Sequence, residues 1–160
     1  MTRLLSLVLL LAALPASTWA DAPQTSAISK EPLYAGLISS AGRLRAQTET
    51  FAAKPSLALL TKAGFKAYAQ DIRALSDGDL KGHYDLRARG TDNDLKCILM
   101  GVSRDLGLKM TAIEAAKSDA ELGTALGNMR DLLSDNIDVI ATPESADSGL
   151  DCVIEFGKGA

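Results

Sequence analysis

The chain has 160 residues but only two cysteines, one histidine, one tryptophan and five prolines. Each scarcity excludes something. No Cys-x-x-Cys pair occurs, so a thioredoxin-like redox motif and covalent haem attachment both lack their residues. A protein zinc site draws on several His or Cys ligands, and the supply here is one and two. No Gly-rich phosphate loop follows a strand-like run, which leaves nucleotide binding without a motif. Seventeen basic against 20 acidic residues give a net charge of −3, the wrong sign for a nucleic-acid binder. After position 20 the aromatics are Tyr34, Phe51, Phe65, Tyr68, Tyr84 and Phe156, poor material for stacking sugars or bases. No Asn-x-Ser/Thr sequence is present, which favours a bacterial envelope over a eukaryotic secretory route.

The N-terminus is the clearest positive signal. Arg3 precedes an apolar run from Leu4 to Leu14 broken only by Ser6, then Pro15 and the small residues of Ser17-Thr18-Trp19-Ala20. This is the order of a secretory signal, and the run is about half of the roughly 20 residues a membrane-spanning helix needs. Residues 1–20 are therefore expected to be a signal peptide cleaved near Ala20, giving a periplasmic or secreted protein with no membrane span. Residues 21–30 read as a polar, flexible tether.

From Glu31 the periodicity is helical. Leu37, Ala41, Leu44, Thr48 and Phe51 line one face, with Pro32 suited to a first turn. A second helix is expected from Lys54-Pro55-Ser56 through Tyr68, Ile72 and Leu75. Three later starts place Ser or Thr three residues before an acid: Ser76 with Asp79, Thr91 with Asp94, and Ser118 with Glu121. The first would open a short helix ending near Arg87 to Gly90. The second opens a long one with the stripe Leu95, Leu99, Val102, Leu106, Met110, Ile113. The third carries Leu122, Leu126, Met129, Leu133, Ile137 and Ile140, and stops at Thr142-Pro143. The expected fold is all-α: an up-and-down bundle over residues 31–142, of about four long helices plus one short one.

In the tail, residues 143–160, Leu150, Cys152, Ile154 and Phe156 alternate with polar or smaller neighbours, a period-two pattern for an extended segment. Cys97 sits two residues from both Leu95 and Leu99, about 200° around a helix from each. The expectation is a Cys97–Cys152 disulfide formed after export, pinning the tail across the outer face of the third long helix. Closing that loop contributes about 4 kcal/mol in the chain-entropy model.

Candidate chemistry is sparse. His83 has no nucleophile context such as Gly-x-Ser-x-Gly and reads as a solvated helix residue. Asp77 to Asp85 faintly follows a calcium-loop spacing, but Lys81 and Ala88 stand where ligands are required. The sharper feature is charge segregation. Residues 21–117 carry 14 basic and 11 acidic groups, residues 118–160 carry 2 and 9. On the last helix Thr124, Asn128, Asp131, Asp135 and Asp138 share one polar face. The three aspartates either pair with Arg43, Arg45, Lys62 or Lys66 across the bundle or form a docking surface for a basic protein partner or a cation.

These residues favour a small exported helical binding module, such as an adaptor, inhibitor or chaperone-like protein of the cell envelope, with no catalytic set and no cofactor. One alternative is a bundle holding a small hydrophobe or haem, with Met110 or Met129 and His83 as ligands. The other is an envelope enzyme that works with carboxylates on different helices.

Overall fold

The computed structural model describes residues 27–90 and 93–142. The expected signal peptide, the Thr91 helix start and the tail with Cys152 lie outside those residues. Within them are four α-helices, two 3-10 turns and no strand. The helices are α1 (Pro32–Ala52), α2 (Ala63–Arg89), α3 (Asn93–Glu114) and α4 (Asp119–Ala141).

Cross-helix pairs fix how they run. Along α1, Tyr34 meets Asp85, Arg43 meets Asp71 and Thr48 meets Tyr68, so partner numbers fall as α1 advances. The same antiparallel order joins α2 to α3 through Ser76 with Ser103 and His83 with Lys96. Each helix also packs on its chain neighbour, and α1 packs on α4, which closes the ring. The result is an up-and-down four-helix arrangement with short connections.

The apolar stripes read from the sequence face the interior. Leu37, Ala41 and Leu44 of α1 are buried, as are Leu95, Leu99, Val102, Leu106, Met110 and Ile113 of α3. On α4, Leu122, Leu126, Met129, Leu133 and Ile140 are buried, with Ile137 partly covered. Each of the larger side chains among them contributes about 1.5–3 kcal/mol through removal from water, and together they hold the bundle. Phe51, Phe65 and Tyr68 cluster at one end, with the Phe51 and Tyr68 rings edge to face at 5.3 Å.

Local chemistry sets the helix ends. Pro32 occupies the first turn of α1, where its missing N–H costs nothing. Gly90 ends α2 at φ 65°, a left-handed conformation that costs glycine no Cβ clash, and its N–H reaches the Leu86 and Arg87 carbonyls. Ser118 caps α4 by accepting from the Glu121 N–H at 3.1 Å, while Glu121 Oε2 accepts from the Lys117 N–H at 2.8 Å. The expected capping box is therefore present, with its return bond one residue earlier than the standard pattern.

The structure corrects four expectations. The second helix starts at Ala63 rather than near Lys54, because Leu57–Thr61 forms a 3-10 turn. The Leu57 N–H donates to Asp119 at 2.8 Å, which ties this turn to the start of α4. There is no separate short helix at Ser76: α2 runs unbroken for 27 residues. Ser76 lies mid-helix and its hydroxyl donates across to the Ser103 carbonyl at 2.8 Å. His83 is buried, not solvated. The end of the expected tether is structured as well, since Ile28–Lys30 forms a 3-10 turn and Ile28 packs on the core.

Candidate functional site

The outer face of α4 follows from its inner one. Leu122, Leu126, Met129, Leu133 and Ile140 turn inward, so Thr124, Asn128, Asp131, Asp135 and Asp138, at the complementary spacing, turn outward. All five are exposed.

The basic residues expected to counter these aspartates from α1 are engaged elsewhere. Arg43 donates to Asp71 at 2.8 Å. Arg45 faces Glu49 at 3.7 Å and reaches the Ser134 hydroxyl at 3.5 Å. Neither Lys62 nor Lys66 pairs with the row among the described residues. Among the described residues the cation that ion-pairs with the row is Arg130, whose guanidinium donates to Asp131 at 2.6 Å and 2.9 Å, while Arg45 stands next to the row on Ser134. Both side chains are solvent-exposed, so the pair contributes little. Asp135 and Asp138 face solvent without a cationic neighbour among the described residues.

The row continues into a groove. At the hairpin end of α3 and α4, an open depression of about 610 Å³ is lined by Leu108 and Ala112 from one helix and by Ala120, Thr124 and Asn128 from the other. Small side chains keep the two helices from filling it. Leu108, at 65% exposure, is the most solvent-accessible large apolar residue described. One face thus carries an apolar depression and, farther along α4, three carboxylates.

Cys97 is buried. By helical geometry it lies on the opposite side of α3 from Leu95 and Leu99. Its expected partner, Cys152, is outside the described residues. The iron-ligand set considered above does not assemble from His83 and Met110. His83 Nδ1 is 2.8 Å from the Lys96 carbonyl, and Met110 lies about 21 Å farther along α3 at 1.5 Å per residue. Among the described residues no group of three or more His, Cys, Asp or Glu converges as a metal set would.

Two polar clusters escaped the sequence reading. The first is at the end of the bundle where α1 begins and α2 ends. Arg89 clamps Glu31 through two bonds of 2.7 Å and 3.0 Å and reaches Asp85 at 2.7 Å. The Tyr34 hydroxyl donates to Asp85 at 2.8 Å. Burial, and then that hydrogen bond, push the Tyr34 phenol well above its ordinary range, while the Arg89 guanidinium holds Glu31 below the usual carboxylate range. The carboxylates here are bound to a cation, so the cluster is a clasp rather than an acid–base pair.

The second cluster is central. Asp79 of α2 and Asn136 of α4 are both 0% exposed, and the Asn136 amide donates to Asp79 Oδ2 at 2.9 Å. A signal for both was present. Asp79 falls in register with Ile72, Leu75, Gly82 and Leu86, and Asn136 with Met129, Leu133 and Ile140. Reading Ser76 and Asp79 as a helix cap hid the first of these.

No described helix is long and apolar enough to cross a membrane. No protein-family model, curated protein or solved structure matches the chain.

Proposed function

We propose that this protein is an exported helical binding module that docks a basic protein partner along the outer face of α4. One observation carries the reading: Asp131, Asp135 and Asp138 stand in a row on an exposed face, and among the described residues no α1 arginine forms an ion pair with them. Three like charges on successive turns repel one another, a cost that an incoming cationic surface relieves. The groove beside Leu108 supplies apolar contact area next to the charge, the mixture that specific interfaces use. Cationic residues on a helix or loop of the partner would pair with the aspartates while an apolar residue enters the groove.

The test uses a variant with all three aspartates changed to Asn. Capture of a basic partner from native envelope extract should fall sharply at low salt, while wild-type capture fades as salt rises. Unchanged capture by the variant at low salt rules the surface out.

The proposal includes export. Residues 1–20 act as the signal, and the mature chain begins at Asp21 in the periplasm or outside the cell. There Cys97 and Cys152 form a disulfide that ties residues 143–160 to the outer side of α3. In support, Cys97 is buried, no free cysteine is found among the described residues, and oxidising compartments favour such bridges. Cys152→Ser should release the tail and leave the far-UV helical signal nearly intact, since the four helices bury their stripes against one another. Loss of most helix content in that variant would mean the tail is part of the core.

A further inference from the structure

At the centre of the bundle a carboxyl group sits where the sequence pattern calls for a leucine. Asp79 is fully buried, and among the described residues one hydrogen bond, from Asn136, is its only partner. The other carboxyl oxygen, Asp79 Oδ1, is buried without a partner, and so is Asn136 Oδ1. Two orphaned acceptors in one buried pair are costly, and two acceptors cannot satisfy each other. A single proton on Asp79 changes that. A carboxylic acid facing a carboxamide can exchange two hydrogen bonds, with the amide N–H donating to one oxygen and the acid O–H donating to the amide oxygen.

The surroundings offer no other source of compensation. At Gly78 and Gly82, which flank Asp79 on α2, the nearest groups are Leu37 and Tyr34 of α1 and Leu99 of α3. Tyr34 is the titratable one among them, and its hydroxyl is spent on Asp85 and the Gly82 carbonyl. From α4 the facing group is Asn136, while Asp135 and Asp138 of the same helix point to solvent. His83, one turn along α2, is turned to the Lys96 carbonyl of α3. Among the described residues no charged side chain acts on the Asp79 carboxyl. Burial raises its proton affinity, Asn136 offsets this in part, and the result is a pKa of about 7.

We propose that Asp79 and Asn136 form a proton-held latch between α2 and α4, closed while Asp79 keeps its proton and loosened when that proton is lost to solvent. Once ionised, the carboxylate has one hydrogen bond in an apolar layer, and water must enter or the two helices must part to solvate it. The direction follows from linkage. The folded chain holds this proton roughly a thousandfold more tightly than an unfolded chain, from an ordinary value of 3.8 to about 7. The stabilisation is complete below about pH 4 and is lost as the pH rises through about 7. The bundle is thus tightened by acid, opposite to the usual effect of a surface carboxylate.

The test is carried out on the full mature chain. Carboxyl-carbon NMR should show Asp79 titrating near neutrality in the folded protein. Denaturant melts compare wild type with Asp79→Asn, whose amide supplies a hydrogen to Asn136 Oδ1 without ionising. Relative to that variant, the wild-type unfolding constant should rise by up to roughly a thousandfold between about pH 4 and about pH 7. Amide exchange across Leu133–Ile140, corrected for intrinsic rates, should accelerate above neutrality in wild type alone. Asp79 titrating at or below about pH 5 in the folded protein overturns the proposal, and that measurement needs no variant to fold. Exchanging sodium for choline should leave the titration unmoved. A shift to lower pH in sodium would instead assign the two oxygens to a buried cation.

Discussion

The α1–α2 side of the bundle and the outer face of α4 use charge in opposite ways. Across α1 and α2, Arg43 meets Asp71, and Arg89 joins Glu31 to Asp85 with Tyr34 beneath. Glu31, Asp71 and Asp85 each have a cation from the facing helix or from their own next turn. On α4 three aspartates follow one another at helical spacing, and among the described residues only Arg130, adjacent in sequence, ion-pairs with one of them. The first surface is complete within the molecule. The second leaves two of its three charges without an ion pair among the described residues. The contrast also separates two settings of an acid: Asp79 is buried with one amide, whereas Asp135 and Asp138 are exposed.

The largest expected effect is at the buried acid. Asn136→Leu removes the one partner of Asp79 and should destabilise the fold by about 3 kcal/mol at pH 8, where the carboxylate would be buried unpaired. At pH 4 the loss should shrink to about 1 kcal/mol, because a neutral acid is cheaper to leave unpartnered. Equal losses at the two pH values in denaturant melts would show that Asp79 does not change charge in the fold.

On the complete surface, Tyr34→Phe deletes a buried hydroxyl and its bond to Asp85, and should cost about 1 kcal/mol in the same melts. Ser118→Ala removes the cap of α4 and should cost about 1 kcal/mol, read as a lower melting temperature with unchanged helix content. At the open surface the effect on stability should be smallest. Asp131, Asp135 and Asp138 changed together to Asn should shift stability by no more than about 0.5 kcal/mol, since lost solvated contacts and relieved repulsion oppose each other. A clear loss there would mean the row is paired inside the molecule after all, and the contrast between the two faces would fail.

Most of the architecture was legible because it rests on periodicity. The α3 stripe from Leu95 to Ile113 and the α4 stripe from Leu122 to Ile140 fall inside as their spacing requires. The Ser118–Glu121 box marked the start of α4 by a local bond that depends on nothing distant. What misled was local chemistry that tertiary structure overrode. Ser76 with Asp79 has cap spacing, but both belong to a 27-residue helix in which Ser76 bonds α3 and Asp79 faces α4. His83 looked solvated because a lone polar residue usually is, and the Lys96 carbonyl that accepts it belongs to another helix. The acidic row was legible as a row. Its lack of partners was not, since that depends on where Arg43 and Arg45 turn.

The measurement closest to the central claim is salt-dependent partner capture by wild type and the triple Asn variant, each first shown to melt alike. The account predicts capture by wild type at low ionic strength, its loss as salt rises, and little capture by the variant at any salt. Equal capture by the two proteins, or capture indifferent to salt, would contradict it.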